Sequence, residues 1–90
     1  MDNTFRIEIY TPEKLFLSDE ITALTVLGLD GEYGIMKDHV PTVVALREGY
    51  MYITSKGVRR KYISGTGYLE MNDNLAMIFV SSCEKDGKAE

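Results

Sequence analysis

Apolar and polar residues alternate with a period of two along most of this chain. Phe5, Ile7 and Ile9 alternate with Arg6, Glu8 and Tyr10, the pattern of a strand with one buried and one solvated face. Thr11-Pro12-Glu13 ends that strand with turn chemistry. Short strands are predicted over residues 15–17 and 21–27, the latter rich in Thr, Val and Leu, which favour extended backbone. Gly28-Leu29-Asp30-Gly31 turns the chain into a strand over 31–36, and another follows Pro41 over 42–46. Arg47-Glu48-Gly49 leads into a strand over 50–54. Ser55-Lys56-Gly57 makes a hairpin with a return strand over 58–64. Gly65-Thr66-Gly67 predicts a kink or bulge with close backbone approach, and residues 68–71 continue the same strand beyond it. Asn72-Asp73-Asn74 is a second hairpin turn, and residues 75–80 form the last strand. Residues 84–90 are polar and charged and read as a frayed tail.

About ten short strands with frequent turns and no helical period predict an all-β protein, a β-sandwich or small barrel. Ninety residues make one domain, which buries roughly 60–65% of its unfolded surface. The expected division is a folded unit over 1–84 and a tail over 85–90. A content of 44% hydrophobic and 27% charged residues excludes a disordered chain. The net charge of -4 argues against nucleic-acid binding, which needs a basic face. Cys83 is the single cysteine, so no intrachain disulfide supports the fold. The longest apolar run, residues 75–80, falls far short of the ~20 residues of a membrane span. The N-terminus lacks the basic start and apolar stretch of a signal peptide. A soluble, non-exported protein is expected.

Recognisable catalytic chemistry is missing from the sequence. One histidine and one cysteine cannot build a typical zinc or iron site. Gly28, Gly31 and Gly34 recur every third residue, a spacing that fits neither dinucleotide nor triphosphate cradles. No serine sits in a nucleophile elbow that could recruit His39. The expectation is a non-enzyme with no cofactor and no metal.

The most informative segment is residues 31–41, Gly-Glu-Tyr-Gly-Ile-Met-Lys-Asp-His-Val-Pro. Gly and Pro punctuate it too closely for a helix, so it reads as a short strand followed by a constrained loop. His39 has two readings: a loop residue whose ring bonds nearby backbone, or an interface residue held at low entropic cost by Pro41. Glu32 is either a solvated strand residue or a carboxylate facing a partner. Tyr50, Tyr52, Tyr62 and Tyr68, beside Met51 and Met71, are core positions with some left over for a docking face. Arg59-Arg60-Lys61 alternates between strand faces and reads as a charged edge strand.

Several motifs together resemble the epsilon subunit of rotary ATP synthases, equivalent to mitochondrial delta. Phe5 to Glu13 is similar to that family's opening strand and T-P-E turn, and Gly28 to Ile35 to its G-x-x-G-E-x-G-I. Asp38-His39-Val40-Pro41 resembles its G-H-A-P loop, and Gly65 to Met71 its S-G-G-x-L-E-V with one glycine shifted. The resemblance runs without obvious gaps from about Thr4 to Cys83; departures fall at Tyr33, Lys37 and Asp38. It implies a flattened ten-stranded β-sandwich at the foot of the rotor, clamping the gamma subunit to the membrane c-ring. By the same resemblance Thr11, His39 and Val44 face gamma, Asp30, Glu32 and Tyr33 face the c-ring, and Gly31, Gly34 and Pro41 shape the loop between. The implied location is peripheral, on the cytoplasmic face of a bacterial inner membrane or its organellar equivalent, held there through the complex alone. Typical members carry a C-terminal helical hairpin that brakes hydrolysis and in some binds ATP. This chain stops at Glu90, so that arm and any nucleotide site are expected to be missing from it. An orphaned gamma-binding face invites self-association. The rival is a stand-alone β-sandwich module for a small ligand or carbohydrate, motivated by Tyr50, Tyr52 and Tyr68.

Overall fold

The computed structural model describes residues 2–87. Among them are ten strands and no helix: β1 Phe5–Tyr10, β2 Leu15–Ile21, β3 Ala23–Gly28, β4 Gly31–Ile35, β5 Thr42–Leu46, β6 Gly49–Ser55, β7 Val58–Ser64, β8 Gly67–Asn72, β9 Leu75–Val80 and β10 Cys83–Lys85. They form one sheet in the order β10-β7-β6-β3-β5-β8-β9-β1-β2, with β4 paired to β3. The sheet folds over on itself, so that β10-β7-β6-β3-β4 makes one layer and β5-β8-β9-β1-β2 the other. The layers join at one bridge, Gly28 opposite Leu46. They approach again where Thr22 N donates to Thr54 O (2.8 Å) and Ser55 Oγ to Glu20 O (3.0 Å).

The period-two pattern explains the core. Phe5, Ile7 and Ile9 of β1 are buried with Leu24 and Val26 of β3, Leu69 and Met71 of β8, and Ala76 and Ile78 of β9. Two of the three two-residue hairpins among the described residues carry left-handed pairs at their turns, Lys56 and Gly57 (φ 54 and 79) and Asp73 and Asn74 (φ 57 and 62); the third turns at Leu29-Asp30 between the paired Gly28 and Gly31.

Four expectations are corrected. Residues 65–67 do not bend one strand; they carry the chain between layers, since β7 pairs with β6 and β10 but β8 with β5 and β9. A closely spaced glycine pair looks the same in sequence whether a strand kinks or leaves its sheet. The close approach itself is present, for a Cβ on Gly67 would lie 1.8 Å from Phe79 O. Ile21 ends β2 opposite Phe5 instead of opening β3, because Thr22 breaks the run by bonding Thr54. Residues 75–80 are not the last strand: β10 pairs Cys83, Glu84 and Lys85 with Ser64, Ile63 and Tyr62. The folded unit therefore passes the expected boundary at 84, and Asp86 N donates to Lys61 O (2.9 Å) while its carboxylate lies 3.8 Å from Lys61 Nζ. A three-residue polar strand has no periodicity to read. Residues 88–90 of the expected tail lie outside the described residues. Because β10 and Asp86 reach only residues 61–64, residues 58–60 have no neighbouring strand on that side among the described residues, an edge that carries Arg59 and Arg60.

Candidate interaction surfaces

The outer face of the second layer carries an aromatic row. Strand register sets Ala45 beside Tyr68, Tyr68 beside Phe79, and Phe79 beside Tyr10. Tyr68 and Phe79 have ring centroids 5.2 Å apart, and Phe79 and Tyr10 stack at 5.3 Å with 12° between planes. Two residues along the same face, Val43 lies beside Glu70, and Glu70 beside Met77. Val43 is 70% exposed and Tyr68 47%. Outward positions of a solvated sheet are ordinarily polar, whereas this face carries a joined apolar row, which makes it the candidate interaction face. Arg6, paired with Glu8 (3.5 Å) and Glu20 (3.2 Å) and bonded to Ser18, gives the face a charged rim. Thr11 and Pro12 border a shallow hollow beside Tyr10, Tyr68 and Phe79. The Thr11 hydroxyl itself donates to Lys14 O (3.3 Å).

Val44 does not belong to this surface. It is 4% exposed and packs in the core, because residues 42, 44 and 46 point inward and 43 and 45 outward. Val43 takes the outward place. Thr11 and His39 do share the second layer but at opposite ends. Thr42 sits in the row of Met71, Ala76 and Ile7, and Thr11 lies four residues beyond Ile7, roughly 13 Å along the strand.

The loop before β5 is tightly organised. His39 N donates to Met36 O (3.1 Å), and the ring Nδ1 lies 2.9 Å from Val40 O. A carbonyl only accepts, so Nδ1 carries the hydrogen and Nε2 is left as the acceptor of the neutral ring. Thr42 Oγ1 donates to the same carbonyl at 2.7 Å. This is the local backbone bond expected of a loop histidine. Pro41 and Val40 are exposed beside it.

A third cluster sits at the β3–β4 tip. Tyr33 Oη donates to both oxygens of Asp30 (3.0 and 3.1 Å), and Tyr50 Oη to Glu32 Oε2 (2.5 Å). These bonds, ahead of any other influence, raise the pKa of both phenols above the ordinary tyrosine value, because a phenolate would face a carboxylate. Asp30 and Tyr33 thus form one bonded pair at the tip and Glu32 and Tyr50 another, with Leu29 66% exposed beside them. Gly31, at φ 133, makes a turn that glycine favours. Gly34 is corrected: open space lies over it in mid-strand and nothing there requires a glycine. Gly28 is the constrained one, since a Cβ there would meet the Tyr33 ring at 2.7 Å.

The tyrosines of the rival reading form no common platform. Tyr50 and Tyr52 lie on the first layer with rings tilted 53°, Arg59 covers Tyr52 at 3.8 Å, and Tyr68 lies on the other layer. Cys83 is half-buried, and desolvation pushes its thiol up to about 11, which suppresses the reactive thiolate. Among the described residues no group of three or more His, Cys, Asp or Glu could hold a metal ion.

Sequence reasoning did not identify Val43, Phe79 or Tyr10 as surface residues, and it named Tyr50 as a docking candidate without its bond to Glu32. One signal was available: a two-residue turn at Asp73-Asn74 sets Tyr68 opposite Phe79. The parallel neighbour Tyr10 and the Glu32 partner Tyr50 come from distant strands and left no local trace.

Residues 4–86 match the family described as the β-sandwich domain of the ATP synthase delta/epsilon chain. An ATP synthase epsilon chain of Syntrophomonas wolfei is 38% identical over 84 residues, covering 92% of this chain and 61% of that relative. This chain thus spans less than two thirds of that protein. An ATP synthase epsilon chain of Chlorobium limicola is 38% identical over 79 residues, covering 86% of this chain and 89% of the relative. A chain in the mitochondrial ATP synthase of Euglena gracilis superposes on all of this chain and 58% of its own length, with a TM-score of 0.90 at 18% identity, and shares the fold.

Proposed function

This chain belongs to the ATP synthase delta/epsilon β-sandwich family, and we propose that it serves as a non-catalytic rotor domain of the central stalk, joining the gamma subunit to the membrane c-ring. The observation that carries this reading is the aromatic row of Tyr68, Phe79 and Tyr10, flanked by Val43, on an otherwise solvated sheet face. Gamma docks across this face, with Thr11 at one end and the His39 loop at the other. A stable interface needs ~800 Å² per partner, much of one sandwich face. Asp30 and Glu32, steered by Tyr33 and Tyr50, present charge to the polar loops of the c-ring. The domain is peripheral to the membrane, on the cytoplasmic side of a bacterial inner membrane, and held there by its partners. No bond is made or broken on it; its part is to pass torque without slippage.

Co-purification with the gamma subunit of the same source tests the reading. The unaltered chain is expected to bind, Val43→Asp and Tyr68→Asp to lose binding while keeping the sheet's circular-dichroism signature, and Arg60→Ala at the far edge to bind normally. No binding by the unaltered chain, or binding that survives both face variants, overturns it.

A further inference from the structure

The loop that carries His39 is tied to a hairpin turn 36 residues away in sequence. Asp38 N donates to Asn74 Oδ1 (2.7 Å), and Asn74 Nδ2 donates back to Asp38 Oδ1 (3.0 Å). Each residue uses its side chain on the other, and the two bonds close a ring. Both have left-handed backbone, φ 67 at Asp38 and 62 at Asn74. Asp and Asn tolerate that conformation better than other non-glycine residues but still at a cost. The reciprocal bonds offset it. Asn74 is in turn anchored, because its carbonyl accepts from Arg6 N at 3.0 Å. A second tether runs alongside, with Lys37 Nζ donating to Asp2 O at 2.7 Å. Residues 37 and 38 are therefore fixed to the end of the second layer where β1 and β9 begin.

We propose that the Asp38–Asn74 pair is a positioning clamp that holds residues 39–41 in their partner-binding form against the second layer. The proposal rests on the reading that this loop meets gamma. Asp38 sits immediately before His39, whose ring is already locked onto Val40 O. With the preceding peptide also fixed, the loop enters the interface ordered. Without the clamp, ordering it would fall on the binding step and weaken affinity. Neither Asp38 nor Asn74 needs to touch the partner for this to hold.

An exchange of the two side chains tests it. In Asn74→Asp the new carboxylate faces Asp38 at hydrogen-bond distance and like charges repel. In Asp38→Asn/Asn74→Asp the amide moves to the other side, so both bonds can re-form. Asp38→Asn alone keeps an acceptor for Asn74 Nδ2. Gamma affinity is measured by titration at a temperature where every variant is folded, and exchange of the Asp38 and His39 amide protons is followed in the free domain. Asn74→Asp is expected to bind gamma about fivefold more weakly and to exchange faster, the effect of roughly 1 kcal/mol. The exchanged pair and Asp38→Asn are expected to return to within about twofold of the unaltered chain. A merely structural role would lower thermal stability and leave the affinity of the folded protein unchanged. Equal affinities for Asn74→Asp and the unaltered chain overturn the clamp while leaving the gamma reading in place. No rescue in the exchanged pair also overturns it. Failure of the unaltered chain to bind gamma overturns the partner reading and, with it, the clamp's service to that partner.

Discussion

Gly67→Ala should damage this domain more than any other single methyl addition at a glycine. The new Cβ would stand 1.8 Å from Phe79 O, 2.8 Å from Phe79 C and 2.8 Å from Val80 Cα. Real Cβ contacts are essentially never shorter than 3.0 Å, so the first distance must grow by at least 1.2 Å (3.0 minus 1.8). All three obstacles are backbone, and no rotamer change relieves them. The strands must part where Gly67 faces Val80 on one side and Leu46 on the other. Losing the terminal ladder bonds of two strand pairs, together with the overpacking, is worth about 2–4 kcal/mol. For a domain of this size each kcal/mol moves the melting temperature by about 4–8 °C. Gly34→Ala is the matched control. Open space lies over Gly34, and a strand glycine is entropically costly, so that variant should match the unaltered chain or gain a few tenths of a kcal/mol. Urea unfolding followed by far-ultraviolet circular dichroism measures both. A Gly67→Ala stability within 1 kcal/mol of the unaltered protein would refute the close approach. Tyr68 is the next residue, so spreading the strands there should also disturb the aromatic row and weaken gamma binding by the fraction that remains folded.

Val44→Asp should prevent folding, since it buries an unpaired charge in the core, whereas Val43→Asp should fold and lose gamma; soluble yield and thermal melts separate the two. The Tyr50 phenol titrates above 10.0 chiefly because it donates to Glu32, so its stabilisation is present below pH 10 and lost as pH rises through the higher folded value. Glu32→Gln should move that titration down, read as the phenolate absorbance change that Tyr50→Phe deletes. Cys83 has a thiol pushed up from 9.0 to about 11, so alkylation at pH 8 should be tens of times slower in the native protein than in urea. Equal rates in the two states would show a thiol that is not desolvated.

The parts of this fold that the sequence discloses are local. Alternation marks the inward residues of β1, and the residues at Lys56-Gly57 and Asp73-Asn74 place two hairpins and their registers. What it conceals depends on chain reversal or on distant pairing. β1 lies parallel to β9, seventy residues apart, and no short-range pattern announces such a neighbour. β10 is too short and too polar to show a period. Residues 42–46 read Thr-Val-Val-Ala-Leu, where no polar residue marks the outward face, and so Val44 could be taken for a surface position. At the candidate site the carboxylates and His39 are visible as residue types. Their partners Tyr50 and Val40 O, and the role of Asn74, emerge only once the strands are side by side.

The two proposed partner surfaces are joined by backbone. Leu29 N at the β3–β4 tip donates to Ala45 O, and Arg47 N donates to Leu27 O, both at 3.1 Å. These bonds flank the Gly28–Leu46 bridge, where β3 of one layer pairs with β5 of the other. Ala45 belongs to the aromatic row, and Leu29 stands beside Asp30. Side chains in close-packed cores can hop between rotamers, whereas a run of ladder bonds shifts only by breaking. The tip and the aromatic row are therefore linked through peptide groups, with no side chain in the path. Gly28 lies at the centre of this seam with the Tyr33 ring over it, so a Cβ there would stand 2.7 Å from the ring and one of the two would have to shift. The ring that covers the seam is thus the one whose phenol donates to Asp30, which ties the carboxylate tip to the bridge between the layers.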